Sequence, residues 1–187
     1  AMSGARPVLN MTFSGRDAEM HITLLETEQQ RLTAYQLMDA GGMRAQMLYD
    51  DDSPESWMRL TDPDDSRVYV VSEGETHLGV VLLNGFSGRT AFVHFCMLHG
   101  HTSRMQEAGE HFLDWSLAYR SCLIGFTPVS YRHVLRAIER LGLVRQCVVP
   151  DGIYLRKRRM LCDGVVTMVT RQSFEQARKT RQLTEVA

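Results

Sequence analysis

Several residues that could handle protons lie in one stretch, residues 91–119, AFVHFCMLHGHTSRMQEAGEHFLDWSLAY. His94 lies in the middle of an apolar run, residues 91–98. A neutral imidazole near its ordinary pKa can take a proton from an amine, whereas the plainer reading is a core histidine bonded to a backbone group. His99 and His101 flank Gly100 and could donate to a phosphate or carry protons. The His-Gly-His triplet has no third ligand at metal spacing, which argues against zinc. Beyond the polar loop Gly100, His101, Thr102, Ser103, a helical pattern begins. An apolar strand, a short loop and a helix N-terminus together form the local arrangement that binds phosphate. The first amides of the helix lack acceptors and its dipole is positive at that end.

Further along, Tyr131 opens a second helix with a phenol that could donate a proton. Glu19 and Glu26 flank the first strand, and nothing in the sequence selects between them. Asp50, Asp51, Asp52, Glu55, Asp62, Asp64 and Asp65 bracket a short helix; such a cluster would favour a cationic amine, or it forms a solvated face. Residues 156–159 (RKRR) read as a solvated hairpin or as a dimer contact in trans with that acidic loop.

The elements that position these residues follow from periodicity. Residues 20–26 alternate as a first strand, and residues 27–39 form a helix that Thr27 can cap and Gly41-Gly42 ends. A short helix is expected over 43–49. Another starts with Ser53 as cap and Pro54 in the first turn. The period then changes to two: 67–73, 77–86 and 91–98 make an antiparallel meander. A helix runs over 103–119, a buried strand over 122–127, and a helix capped by Ser130 over 131–141, stopped by Gly142. Strands at 143–149 and 165–171 follow, separated by a long connection holding Pro150-Asp151-Gly152. Residues 1–19 are an N-terminal segment in which 8–13 could form a strand. Residues 172–187 are a polar tail with about one helical turn. One domain, residues 20–171, with a mixed sheet is therefore expected.

Composition agrees with that reading. With 187 residues, 44% hydrophobic and 23% charged, the chain is long enough for one buried core and short for two domains. A net charge of −1 supplies no general attraction to nucleic acid or anionic membrane. No apolar run reaches the length of a membrane span, and no secretory signal is read at the N-terminus. Cys96, Cys122, Cys147 and Cys162 contain no Cys-x-x-Cys pair, as expected of reduced thiols in a cytoplasmic protein.

The element order, together with the residues at its joints, resembles the GNAT superfamily of N-acetyltransferases over roughly residues 20–171, closest to phage-type members. Residues 131–143 (YRHVLRAIERLGL) look like the family's helix that ends in Glu-Lys-x-Gly-Phe, here Glu139-Arg140-Leu141-Gly142-Leu143. Cys162-Asp163-Gly164 and the VVTMVTRQSFE after it look like its last strand. The resemblance implies an α/β (α+β) fold, an acyl-CoA N-acyltransferase-like mixed, mostly antiparallel sheet flanked by helices. It implies acetyl-CoA (or CoA) as cosubstrate and a small-molecule or peptide amine as acceptor. The pantetheine would run along the backbone of Cys96, Met97 and Leu98. The pyrophosphate would sit at Gly100, His101, Thr102, Ser103, Arg104, Met105 and Gly109. The family's loop motif is Arg or Gln, two residues, Gly, one residue, then Gly or Ala. Arg104 and Gly109 fit it, while Glu107 stands at the first glycine. Tyr131 stands where the family often has Asn, and Ile138 stands at the position of the family's tyrosine acid. His94 and Tyr131 are then the catalytic candidates, with no metal. The alternative is a GNAT-like module without catalysis that binds or assembles, and a homodimer is compatible with either.

Overall fold

The computed structural model describes residues 19–185; the strand expected over 8–13 lies outside them. The chain opens with β1 (Met20–Leu24), α1 (Glu28–Leu37), a 3-10 segment (Ala40–Gln46) and α2 (Pro54–Leu60). The meander follows as β2 (Ser66–Glu73), β3 (Thr76–Ser87) and β4 (Thr90–Met97). After a 3-10 turn (Thr102–Arg104) come α3 (Met105–Tyr119), β5 (Cys122–Pro128) and α4 (Arg132–Arg140). The chain ends with β6 (Val144–Leu155), β7 (Met160–Thr170) and α5 (Arg171–Glu185).

Local chemistry explains the helix starts. Thr27 Oγ1 accepts from the Gln30 amide at 3.2 Å while Gln30 Oε1 accepts from the Thr27 amide at 3.0 Å, a reciprocal cap for α1. Ser53 accepts from Ser56 and Pro54 fills the first position of α2. Ser130 does not cap α4: Tyr131 occupies that position, without a side-chain cap.

The strands form one seven-stranded sheet among the described residues, in the order β1-β2-β3-β4-β5-β7-β6. All neighbours are antiparallel except β4 and β5. That one parallel pair follows from α3, since a helical crossover returns the chain in the same direction.

The central strands are covered on both faces, so successive residues enter different cores. Tyr69, Val71, Val81 and Leu83 pack with Phe112, Leu113 and Leu117 of α3 and Phe174 of α5. Val68, Val70, Val80 and Leu82 pack with Ala34 and Tyr35 of α1 and with Met38, Met43, Met47 and Trp57. The buried Trp57 indole donates to the Arg31 carbonyl at 2.8 Å.

Two expectations about the C-terminal third are corrected. The connection between the last strands is itself strand: β6 and β7 form one long hairpin, with a bulge between the Val149↔Gly164 and Ile153↔Cys162 pairs. Pro150 is tolerated there because, among the described residues, β6 ends the sheet and its outer side has no ladder to break. The C-terminal segment is a helix of 15 residues where about one turn was expected. Phe174 is 1% exposed in the core beneath α3, Arg171 pairs with Asp114, and Arg181 meets Glu110 at 2.8 Å.

Candidate functional site

The parallel pair is short. Thr90, Ala91 and Phe92 pair with Cys122, Leu123 and Ile124, and then the two strands part. Residues 93–97 remain hydrogen-bonded to β3 on one side. On the other side, alternate residues turn their N–H and C=O groups toward the gap. The gap is a cleft of about 300 Å³. Its walls come from residues 93–97 of β4, Gly125, Phe126 and Thr127 of β5, Met105, Gly109 and Phe112 of α3, and Val134, Ala137 and Ile138 of α4. Met43, Met47 and Tyr49 close the side opposite α3 and α4.

Of the residues singled out in the sequence, the fold brings His94, Cys96, Met97, Thr102, Met105 and Gly109 to this cleft. Leu98 instead points into the core under α1 and α2. Gly100, His101, Ser103 and Arg104 lie on the loop and 3-10 turn that bracket Thr102, outside the cleft wall. Gly100 has φ +84°, a conformation that glycine adopts without strain. Gly109 is buried in α3, where a Cβ would stand 2.6 Å from Leu141 Cδ1. Its hydrogen therefore lets the end of α4 pack directly on α3.

His94 is half-buried, and the surface it keeps lines the cleft. Burial pushes its pKa down to about 4, so the ring is neutral at physiological pH. Its Nε2 lies 3.3 Å from Asn84 Oδ1, and because that oxygen only accepts, Nε2 carries the proton. Nδ1 is left as an acceptor. Cys96 is buried and its thiol is pushed up to about 12, which makes it inert.

At the start of α3 the electrostatics are unusual for an anion site. Arg104 donates to both oxygens of Glu73, at 2.9 and 2.7 Å, and to Glu107 at 2.6 Å. The guanidinium hydrogen bonds hold the Glu73 carboxyl below its ordinary range. The only arginine of the expected motif is thus shared by two carboxylates. Glu107 occupies the first helical turn, where a carboxylate gains from the helix dipole.

Tyr131 stands beside the cleft rather than in its wall, edge-on to Tyr49 with ring centroids 6.0 Å apart. Tyr49 was not singled out by its sequence. It has no periodic or motif signal, and tertiary packing brings it between the cleft and Tyr131. Burial, and next the neighbouring Tyr131, raise its pKa, so it is a protonated hydroxyl at any physiological pH.

No protein-family model and no curated protein sequence matches the chain. Solved structures do. One is a Vibrio cholerae spermidine N-acetyltransferase in complex with CoA and spermine. It aligns at 14% identity over 83% of this chain and 97% of that one, with a TM-score of 0.68. The dodecameric structure of spermidine N-acetyltransferase from the same organism, in an intermediate state, aligns at 14% identity. It covers 83% of this chain and 95% of that chain, with a TM-score of 0.65. This is the GNAT fold. The parted β4 and β5, with the start of α3 above them, are the part of the GNAT sheet around which this chain builds its cleft. Among the described residues no group of His, Cys, Asp and Glu is arranged to hold a metal, and no helix is long and apolar enough to cross a membrane.

Proposed function

We propose that this chain is an acetyl-CoA-dependent N-acetyltransferase acting on an amine. The observation that carries the reading is the cleft where β4 and β5 part, which exposes an unpaired strand edge to a deep, mostly apolar space. An amide-containing pantetheine arm fits such an edge, because the backbone groups of residues 93–97 supply donors and acceptors along an extended path. Met97 would hold it through the backbone, together with Val93 and Phe95, since the Leu98 amide is already given to the Leu78 carbonyl at 2.8 Å and Cys96 shares its direction. The amides around Thr102 and Ser103 would meet the phosphates. When bound, acetyl-CoA supplies an activated acetyl group. The chain's own residues do the rest. The apolar walls exclude water and orient the reacting atoms. The unprotonated Nδ1 of His94 can accept a proton in transit from the amine, and the protonated hydroxyl of Tyr49, with Tyr131 beside it, can give one to the departing thiolate.

We infer as well that the chain self-associates. Strand β6 ends the sheet with its outer edge unpaired among the described residues, and Val144, Val148 and Val149 are exposed along it. A homodimer through that edge is the arrangement this supports.

The test is thermal unfolding and calorimetry with acetyl-CoA. At 100 times its Kd, acetyl-CoA should stabilise the fold by about 2.7 kcal/mol. Absence of any shift at millimolar acetyl-CoA would sink the reading. Tyr49→Phe should then keep acetyl-CoA affinity and lower kcat by about a hundredfold.

A further inference from the structure

We propose that the acceptor amine enters through a second hollow and carries an anionic group, a carboxylate or a phosphate, beside its amine. The inference rests on the acetyltransferase reading and assigns the substrate class of that same site. The second hollow, about 250 Å³, lies between the 3-10 segment after α1, Tyr131 and the turn joining β6 to β7. Tyr49 belongs to its wall and to the wall of the cleft, so the two spaces adjoin at that ring.

Charge decides what this hollow accepts. Histidine apart, the cleft wall carries no ionisable charged side chain, so any charge on the acceptor besides its reacting amine must be met outside it. The hollow holds Asp52 together with Arg156, Lys157 and Arg158. Arg156 is matched by Asp51 at 2.7 Å, within the same chain. Lys157 and Arg158 have no ion-pair partner among the described residues. Lys157 Nζ lies over Gly42, 3.4 Å from where a Cβ would stand, which places its charge against the floor of the hollow. The 3-10 turn Arg156–Arg158 presents the three cations together, and the Arg156 amide ties it to the Tyr49 carbonyl at 3.1 Å. The lining is therefore positive. It attracts an anion and repels a second ammonium, so a polyamine of the kind bound by the Vibrio cholerae enzyme is disfavoured here.

Amines matched in reach and opposite in their far charge test this. The full chain with acetyl-CoA at low ionic strength would be given putrescine against γ-aminobutyrate and aminopropylphosphonate, and cadaverine against 5-aminovalerate. Thiol release would be followed. The anionic member of each set should have a kcat/KM about tenfold or more above the diamine; carboxylate against phosphonate then shows which anion the hollow prefers. The Lys157→Gln, Arg158→Gln double variant, whose altered side chains are both exposed, should lose the preference and keep acetyl-CoA affinity by calorimetry. Equal or greater turnover of the diamines overturns the proposal, as does a preference that survives in the double variant. Acetyl-CoA binding without turnover of the anionic amines overturns it alone; failure of acetyl-CoA to bind removes the underlying reading with it.

Discussion

At the start of α3, Glu107 stands paired with Arg104 at 2.6 Å and bears on the proposed phosphate site. The carboxylate sits in the first turn of α3, where its charge suits the helix dipole and opposes an incoming phosphate. Replacing it with glutamine keeps the size and removes the charge. Glu107→Gln should therefore bind acetyl-CoA about two- to fivefold tighter by calorimetry, since a charge at this position is worth about 0.3–1 kcal/mol. Unchanged affinity would place the phosphates elsewhere. His94 gives a second residue-scale expectation. Its folded pKa, about 4, lies below its ordinary 6.5, so below pH 6.5 the unfolded chain binds the proton first. The stability that the neutral ring contributes is complete above about pH 6.5. It is lost progressively as the pH falls toward 4, and levels off once the folded ring protonates too. Urea midpoints measured across that range should fall, and His94→Gln should flatten the part of the slope due to this group. A variant with the parent's full slope would count against it.

At the scale of elements, the C-terminal helix is the lesson. Residues 172–187 are mostly polar, and a polar stretch with few apolar residues reads as a tail. What that pattern conceals is that one aromatic suffices when a core has a place for it: Phe174 enters the space beneath α3, and Arg171 and Arg181 pair with Asp114 and Glu110 on that helix. Phe174→Ala should cost about 3–5 kcal/mol in chemical denaturation, the range for a buried aromatic. A loss under 1 kcal/mol would mean that α5 only rests on the domain. The starts of α1 and α2, by contrast, were legible, because Thr27, Ser53 and Pro54 act within a few residues of themselves, whereas at α4 Tyr131 takes the place expected of Ser130. The extent of β6 was not. Its bulge at Pro150 is permitted by its place at the edge of the sheet, which no local pattern reveals.

For the whole molecule, the edge strand β6 is where the proposed self-association is tested. Val148 is 52% exposed on β6, in a row of unpaired backbone groups. Val148→Lys should shift the chain from dimer to monomer in light scattering and leave the unfolding transition of the monomer nearly unchanged. A parent chain that is already monomeric would contradict the inferred pairing. The charge runs also find their meaning only at this scale. Arg156 and Asp51 are 105 positions apart in sequence and meet within one chain, where a contact in trans was an equal expectation.

The sequence by itself determined the order of strands and helices, the meander, the crossover through α3 and the resemblance to GNAT proteins. Each rests on periodicity or on residues acting over a few positions. It also singled out residues 91–119, and His94, Cys96, Met97, Thr102, Met105 and Gly109 do line the cleft. Only the tertiary structure decided where β4 and β5 part, that Arg104 is shared by Glu73 and Glu107, and that Tyr49 stands between the cleft and a positively lined hollow. Those features depend on distances between side chains far apart in the chain, and these are fixed by packing on the two faces of the sheet rather than by local pattern.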